Sequence, residues 1–133
     1  MTQPLSTSPG SVGGLRIVLR LEGLSILMAG CWVYHFYQFS WGQFFLYFFL
    51  PDIGLLGYLV NSKIGAFSYN LTHSYILPLL LGTLAWALDA PTFTPFIIIW
   101  IAHIGFDRAL GYGLKYTTGF KDTHLGRIGW NRL

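Results

Sequence analysis

Hydrophobic residues dominate four long stretches of the chain, and short polar segments separate them. The stretches cover residues 15–39, 43–60, 66–88 and 93–114. Each is close to, or longer than, the roughly 20 mostly apolar residues that a helix needs to cross a bilayer. Short connections favour antiparallel neighbours. The pattern therefore predicts an all-α, polytopic membrane protein, with residues 15–115 folded as a four-transmembrane-helix up-down-up-down bundle.

The two ends of the chain are polar. Residues 1–14 are rich in Pro, Gly and Ser and contain no basic residue and no apolar run. This composition predicts a disordered N-terminal tail and is not that of a secretory signal. Residues 116–133 are too polar to insert into a membrane and are predicted to form a cytoplasmic C-terminal tail. Two alternatives are open for Asp122 and His124: a lid over the cytoplasmic mouth of the bundle or, as the simpler expectation, a solvated tail.

Two local features refine the predicted spans. Pro51 lies inside the second span and has no backbone N–H, so a kink is expected near Leu50. The first span contains small residues at Gly23, Ala29 and Gly30. Small side chains allow another helix to approach closely, so this face is predicted to pack against a neighbouring span.

Composition supports the membrane interpretation and excludes other classes. The chain is 53% hydrophobic, 18% aromatic and only 10% charged, with a mean hydropathy of +0.53. Such a balance belongs to membrane proteins. The single cysteine, Cys31, excludes an internal disulfide and a cysteine metal cluster. The pI is near 9.2, but no basic patch is interleaved with exposed aromatic residues, so nucleic acid is not an expected partner.

The positive charges predict an orientation. If the N-terminus is cytoplasmic, all eight Lys and Arg residues lie on or near the cytoplasmic side, and the opposite loops carry only Asp89. Cytoplasmic loops of membrane proteins carry an excess of Lys and Arg. Both termini are therefore predicted to be cytoplasmic. The lipid bilayer is the expected environment, and the small size of the bundle is compatible with a homodimer.

A layer of ionisable residues is expected inside the predicted bundle. At about 1.5 Å per residue, Glu22, Asp52, His73 and Asp107 lie roughly 10 to 14 Å from the cytoplasmic boundary, and His103 lies about 16 Å from it. His103 and Asp107 are four residues apart and share a helix face. Each such group costs on the order of 3 kcal/mol in lipid, so all should face the interior. The layer consists of Glu22, Asp52, His73, His103 and Asp107.

Two interpretations of this layer involve no catalysis. In the first, the acids pair with nearby arginines, the histidines bond to hydroxyls or to Asn70, and the network fixes the register of the helices. In the second, the same groups conduct a proton or a small ion, with His35 as a continuation towards the opposite face.

The third interpretation is a metal centre. Imidazole and carboxylate ligands together suit zinc, iron or manganese. Such a metal would polarise a substrate oxygen or activate water, which is hydrolase-like chemistry on a lipid or an amphiphile. Glu22 is then a candidate general base or further ligand, and Arg20 and Arg108 are candidate binders of a substrate anion. The predicted metal ligands are Asp52, His73, His103 and Asp107.

Several strings of the sequence resemble a known family. They are Pro51-Asp-Ile-Gly-Leu-Leu-Gly-Tyr58, Asn70-Leu-Thr-His73, His103-Ile-Gly-Phe-Asp-Arg-Ala-Leu-Gly-Tyr-Gly-Leu-Lys115 and Thr117-Thr-Gly-Phe-Lys-Asp-Thr-His-Leu-Gly126. The family is one of small bacterial membrane proteins catalogued only as a domain of unknown function, and the resemblance covers about residues 20–129. It implies the four-span architecture and a bacterial inner membrane, and it brings no activity.

A looser similarity links the chain to membrane-bound metal-dependent hydrolases. These enzymes also place His and Asp on helices near the cytoplasmic leaflet. The similarity concerns residue types and depth, so it favours the metal interpretation without assigning any catalytic residue.

Overall fold

The computed structural model describes residues 10, 11 and 13–128. Most of the predicted N-terminal tail lies outside the described residues. In chain order the elements are α1 (Gly13–Phe36), α2 (Trp41–Tyr47), the 3₁₀ helix η1 (Leu50–Leu59), α3 (Ser62–His73), α4 (Ile76–Ala87), the short 3₁₀ helix η2 (Pro91–Phe93), α5 (Thr94–Leu110), β1 (Asp122–Thr123) and β2 (Gly126–Arg127).

Within the described residues, helices long and apolar enough to cross a membrane cover three stretches, Gly13–Phe36, Trp41–Leu59 and Pro91–Leu110. The apolar helix Ile76–Ala87 is shorter. Many large apolar side chains point outwards, with Leu59 and Trp86 each 84% exposed. An apolar surface of this extent is stable against lipid and unstable in water. The mostly helical membrane protein that the sequence predicts is therefore confirmed.

The third predicted span, residues 66–88, is a broken helix. α3 ends at His73, Ser74 is extended with φ −91° and ψ 147°, and α4 begins at Ile76. Pro78 lies in the first turn of α4 and has no N–H, which suits the start of a helix better than its interior. The first, second and fourth predicted spans are thus long enough to cross a membrane on their own. The third is divided into two shorter helices.

α1 and α5 are in close backbone contact. A Cβ atom added at Gly23 would lie 2.8 Å from the Gly105 carbonyl oxygen, and one added at Gly105 would lie 2.7 Å from the Gly23 oxygen. One added at Gly30 would lie 3.4 Å from the Cβ of Ala102. The predicted packing face of the first span therefore contacts α5 through Gly23 and Gly30, whereas Ala29 is exposed.

η1 packs against α3 in the same manner. Ser68 donates a hydrogen bond to the Gly54 carbonyl at 2.5 Å, and a Cβ added at Gly54 would lie 2.7 Å from the Ser68 carbonyl. The change from α2 to η1 falls at the kink expected near Leu50. Ten residues of 3₁₀ helix are an unusually long run, and such runs often mark functional positions.

Residues 111–128 fold against the helices. The hairpin of β1 and β2 pairs Asp122 with Arg127, and Thr123 and Leu125 are fully buried. The Ser11 N–H donates to the His124 carbonyl at 2.7 Å, so the start of α1 and the C-terminal segment lie at the same end of the protein. The expectation of a solvated tail is wrong for this described part, because its buried side chains anchor it.

Asn70 attaches the C-terminal segment to α3. Its amide group donates to the Lys115 carbonyl at 2.8 Å and accepts from the Lys115 N–H at 2.6 Å. The Lys115 ammonium donates to the Phe120 carbonyl at 2.8 Å and lies 4.5 Å from the centre of the Tyr69 ring. Asn70 therefore bonds to this loop. Of the two partners that the structural interpretation gives the histidines, His73 has a hydroxyl, that of Thr72, and not Asn70.

Replacing Gly23 by Ala should separate α1 from α5. The added methyl group would overlap the side chain of Arg108 and the backbone of Gly105, and overpacking of this kind costs typically about 1–3 kcal/mol. Gly14→Ala is the matched control in the same helix, because an added Cβ there meets nothing within 4 Å. Thermal unfolding in detergent should show a lower Tm for Gly23→Ala alone. Equal Tm values for the two variants would contradict the packing.

Lys115 should make stability depend on pH. Burial lowers its pKa from 10.5 to about 8, and the negative charge of Asp107 only partly opposes this. Between pH 8 and 10.5 the unfolded state binds more protons than the folded state, so stability should rise with pH across this window. Lys115→Met should flatten the rise in Tm, while Lys121→Met, at an exposed position, should retain it. A rise in Tm with pH that persists in Lys115→Met would show that another group causes the rise.

Candidate metal centre

Four ionisable side chains from three elements meet inside the protein. Asp52 comes from η1, His73 from the last residue of α3, and His103 and Asp107 from successive turns of α5. One nitrogen or oxygen atom of each lies within 4.8 Å of those of the other three. The structure thus brings together all four residues that the sequence analysis names as metal ligands, and this group could hold a metal ion.

The separations within the group suit a single small cation. The two Nε2 atoms of His73 and His103 are 3.1 Å apart. Oδ1 of Asp52 lies 3.1 and 3.2 Å from these nitrogens, and Oδ2 of Asp107 lies 3.2 and 3.4 Å from them. Tetrahedral ligands at about 2.0–2.1 Å from a metal are about 3.3–3.4 Å from one another. Five of the six separations therefore have nearly the spacing of a tetrahedral ligand set.

Hydrogen bonding orients His73 for this role. Its Nδ1 lies 3.0 Å from the Tyr69 carbonyl and 2.9 Å from the Thr72 hydroxyl. A proton on Nδ1 can be donated to that carbonyl, which leaves the lone pair of Nε2 free for a metal. The Tyr69 ring also stacks on the imidazole at 3.8 Å, and its hydroxyl donates to Asp107 at 3.3 Å. Tyr69 therefore orients one imidazole and one carboxylate of the group.

Packing orients His103. Its ring lies edge-on to Phe48 at 5.2 Å and to Phe49 at 6.2 Å, and its side chain is fully buried. Its Nδ1 has no hydrogen-bond partner within the part of the chain that the structure describes. Aromatic contacts thus direct its Nε2 towards the group. A hydrogen bond at Nδ1 to the described residues does not contribute.

The centre is open on one side. The side chains of His103, His73 and Asp107 are 0, 2 and 13% exposed, while that of Asp52 is 36% exposed. A cavity of about 210 Å³ lies beside Asp52 and is almost wholly apolar. None of the four residues lines this cavity, but their neighbours in the chain Pro51, Ile53 and Thr72 do. The cavity is lined by Tyr47, Leu50, Pro51, Ile53, Thr72 and Trp100.

α5 caps the broken end of α3. The Trp100 indole N–H donates to the Thr72 carbonyl at 2.6 Å, and the Arg108 guanidinium donates to the His73 carbonyl at 2.9 Å. The last carbonyls of a helix lack partners within it, and lipid offers none. These bonds allow α3 to end beside the centre and hold His73 in place. The sequence analysis does not identify Trp100. Its indole N–H inside an apolar stretch was the available signal, because such a donor needs a hydrogen-bond partner.

The three residues predicted to act in catalysis lie outside the group. Glu22 is exposed on α1, so its predicted place in the same interior layer is wrong. Successive residues of a helix differ by about 100° in direction, and α1 turns Gly23 towards α5. The Arg20 Nε donates to the Ala109 carbonyl at 2.9 Å. Arg20 and Arg108 thus bond to backbone carbonyls, and not to Asp52 or Asp107 as an arginine–carboxylate network requires.

Comparison with known proteins places the chain in a family. A family model described as "Domain of unknown function (DUF4260)" matches residues 16–128. The chain belongs to this family. The matched range contains α1 to α5, the C-terminal hairpin and all four residues of the group. No curated protein and no solved structure matches the chain.

Trp100→Phe should weaken the end of α3. The change keeps an aromatic ring and leaves the Thr72 carbonyl without its donor, at a cost of about 1–3 kcal/mol for an unsatisfied buried group. Trp86→Phe is the control, since Trp86 is 84% exposed. Circular dichroism during heating in detergent should give a lower Tm for the first variant only. A Tm that falls equally in both would show that the indole bond contributes nothing specific.

Proposed function

We propose that this membrane protein binds one divalent transition-metal ion, of zinc, iron or manganese, between Asp52, His73, His103 and Asp107. We further propose that it uses the ion in hydrolase-like chemistry on a lipid or an amphiphile. The observation that carries the proposal is the 3.1 Å separation of two Nε2 atoms that both face two carboxylate oxygens. Two facing ring nitrogens can share only one proton, whereas a cation between them interacts with all four atoms.

The donor set supports this choice of ion. Two neutral imidazoles and two carboxylates carry a formal charge of −2, which a divalent cation neutralises. Neutrality matters here because a buried net charge is expensive in a membrane. Nitrogen and oxygen donors without thiolate suit zinc, iron and manganese better than monovalent copper.

The surroundings support an amphiphilic substrate. A metal held by these four side chains and expanding to five-coordination would polarise a carbonyl or phosphoryl oxygen or lower the pKa of bound water. The partly exposed Asp52 and the adjacent apolar cavity mark the side from which an acyl chain would approach. Tyr69 would keep Asp107 and His73 in position during the reaction.

The orientation in the membrane is part of the proposal. The contact of Ser11 with His124 favours an even number of crossings between them. α3 and α4 would together make the crossing that neither makes alone. The distribution of Lys and Arg then favours cytoplasmic termini, in a bacterial inner membrane as the family resemblance implies.

Metal analysis of detergent-purified protein tests the centre. After incubation with Zn²⁺, Fe²⁺ or Mn²⁺ and desalting, the natural protein should retain near-stoichiometric metal. A His103→Gln, Asp107→Asn double variant should retain less than about a tenth of that, because two of four ligands are gone. A chelator should lower the Tm of the natural protein and leave that of the variant unchanged, since a metal bound to the folded state stabilises it.

A second double variant, His35→Gln with Asp89→Asn, provides the control. It makes the same chemical changes at exposed positions outside the group, so its metal content should equal that of the natural protein. Release of fatty acid or phosphate from mixed phospholipid micelles should require both the metal and the intact group. Failure of the natural protein to retain any of the three metals would favour a structural hydrogen-bonded network instead.

A further inference from the structure

A second cavity is lined by Arg108 and by none of the four residues of the candidate metal centre. Its volume is about 550 Å³, and it is a partly open cavity lined by residues of α1, the α3–α4 connection, α5 and the C-terminal segment. Unlike the cavity beside Asp52, it contains an acid and two basic side chains. The residues that matter here are Leu19, Glu22, Ile26, Tyr75, Arg108 and His124.

Glu22 brings an unpaired carboxylate to this cavity. It lies within a candidate span, and it makes no hydrogen bond or ion pair with any residue that the structure describes. No ion pair joins it to Arg108 in the same described range, although both line the cavity. An ionised acid within a membrane span normally has a partner. A positively charged group from outside the chain would supply one.

Arg108 brings the opposite charge. Its side chain is only 8% exposed, and it lies 5.9 Å above the Tyr75 ring. One guanidinium nitrogen donates to the His73 carbonyl. A guanidinium has five N–H donors in a fixed planar arrangement, so several are left for an oxyanion in the cavity.

His124 adds a neutral donor beside Arg108. Its Nδ1 accepts a hydrogen bond from the Leu114 N–H at 2.8 Å, which places the ring proton on Nε2. Burial, together with the positive charge of Arg108, lowers the pKa of His124, so the ring is neutral. Its Nε2–H has no partner among the described residues and is free for a ligand oxygen.

The position of the cavity suits an amphiphile. Glu22 lies about 14 Å along α1 from its start, at about 1.5 Å per residue. Leu19 and Ile26 flank it one turn away on either side, and Ile26 is 37% exposed on the apolar surface of α1. The C-terminal segment contributes His124 to the polar part of the lining. Charged groups and an apolar wall are thus adjacent.

We propose that this cavity binds the zwitterionic headgroup of an amphiphile. A ligand ammonium group pairs with Glu22, a phosphate or carboxylate pairs with Arg108 and His124, and an acyl chain lies along Leu19 and Ile26. A purely anionic ligand leaves Glu22 unpaired and close to a like charge. A purely cationic ligand leaves Arg108 unpaired. Only a ligand with both charges complements the cavity.

Binding of two lysolipids to the full-length protein in detergent tests the proposal. The probes are palmitoyl lysophosphatidylethanolamine, which is zwitterionic, and palmitoyl lysophosphatidylglycerol, which is anionic. Glu22→Gln removes the charge at an exposed position that makes no bond. It should raise the Kd of the ethanolamine lipid about tenfold, equivalent to about 1.4 kcal/mol. It should lower the Kd of the glycerol lipid, because the repulsion between its phosphate and the carboxylate is gone.

Asp89→Asn is the matched control, with the same loss of charge at an exposed turn outside the cavity, and it should alter neither Kd. Glycerophosphoethanolamine distinguishes the source of the headgroup: much weaker binding than the lysolipid indicates a lipid, and equal binding indicates a free zwitterion. Equal shifts of both lysolipids in Glu22→Gln, or no saturable binding of the ethanolamine lipid, would overturn the proposal. Binding is measured without turnover, so the result is independent of the metal centre.

Discussion

The mutual approach of His73, His103, Asp52 and Asp107 constrains the rest of the structure. Their Nε2 and carboxylate oxygen atoms are 3.1 to 3.4 Å apart in five pairs. Among apolar helices the dielectric constant is low, so these interactions are strong and any displaced charge is expensive. η1, α3 and α5 must therefore keep fixed positions relative to one another.

Small residues and hydrogen bonds fix those positions. Gly54 brings η1 against Ser68 of α3, and Gly105 brings α5 against Gly23 of α1. α5 also attaches α3 through Trp100 and Arg108. α5 thus supplies two members of the group, His103 and Asp107, and also holds a third, His73. In lipid, where apolar side chains gain little from contacting one another, such close packing and backbone bonds are what hold helices together.

Hydropathy and residue type predicted the helical stretches and the four members of the group, because the cost of an ionisable side chain in lipid limits where it can point. Depth along a span does not give direction around the helix axis, however. Glu22 lies at the expected depth and yet faces another cavity, because Gly23 contacts α5. The end of α3 at His73 depends on donors from a distant helix. The burial of Thr123 and Leu125 similarly depends on tertiary contacts, which the polar composition of the C-terminal segment does not predict.

Arg108 connects the four-residue group with the second cavity. The same guanidinium that bonds to the His73 carbonyl also lines the cavity beside Tyr75 and His124. Because the donors of a guanidinium are arranged in a rigid plane, a ligand oxyanion on one edge limits the rotation of the edge that holds His73. Occupation of the proposed headgroup site would then restrict the motion of a proposed metal ligand without any contact between ligand and metal. The two polar sites thus share one buried side chain, because Arg108 both bonds to the His73 carbonyl and lines the second cavity.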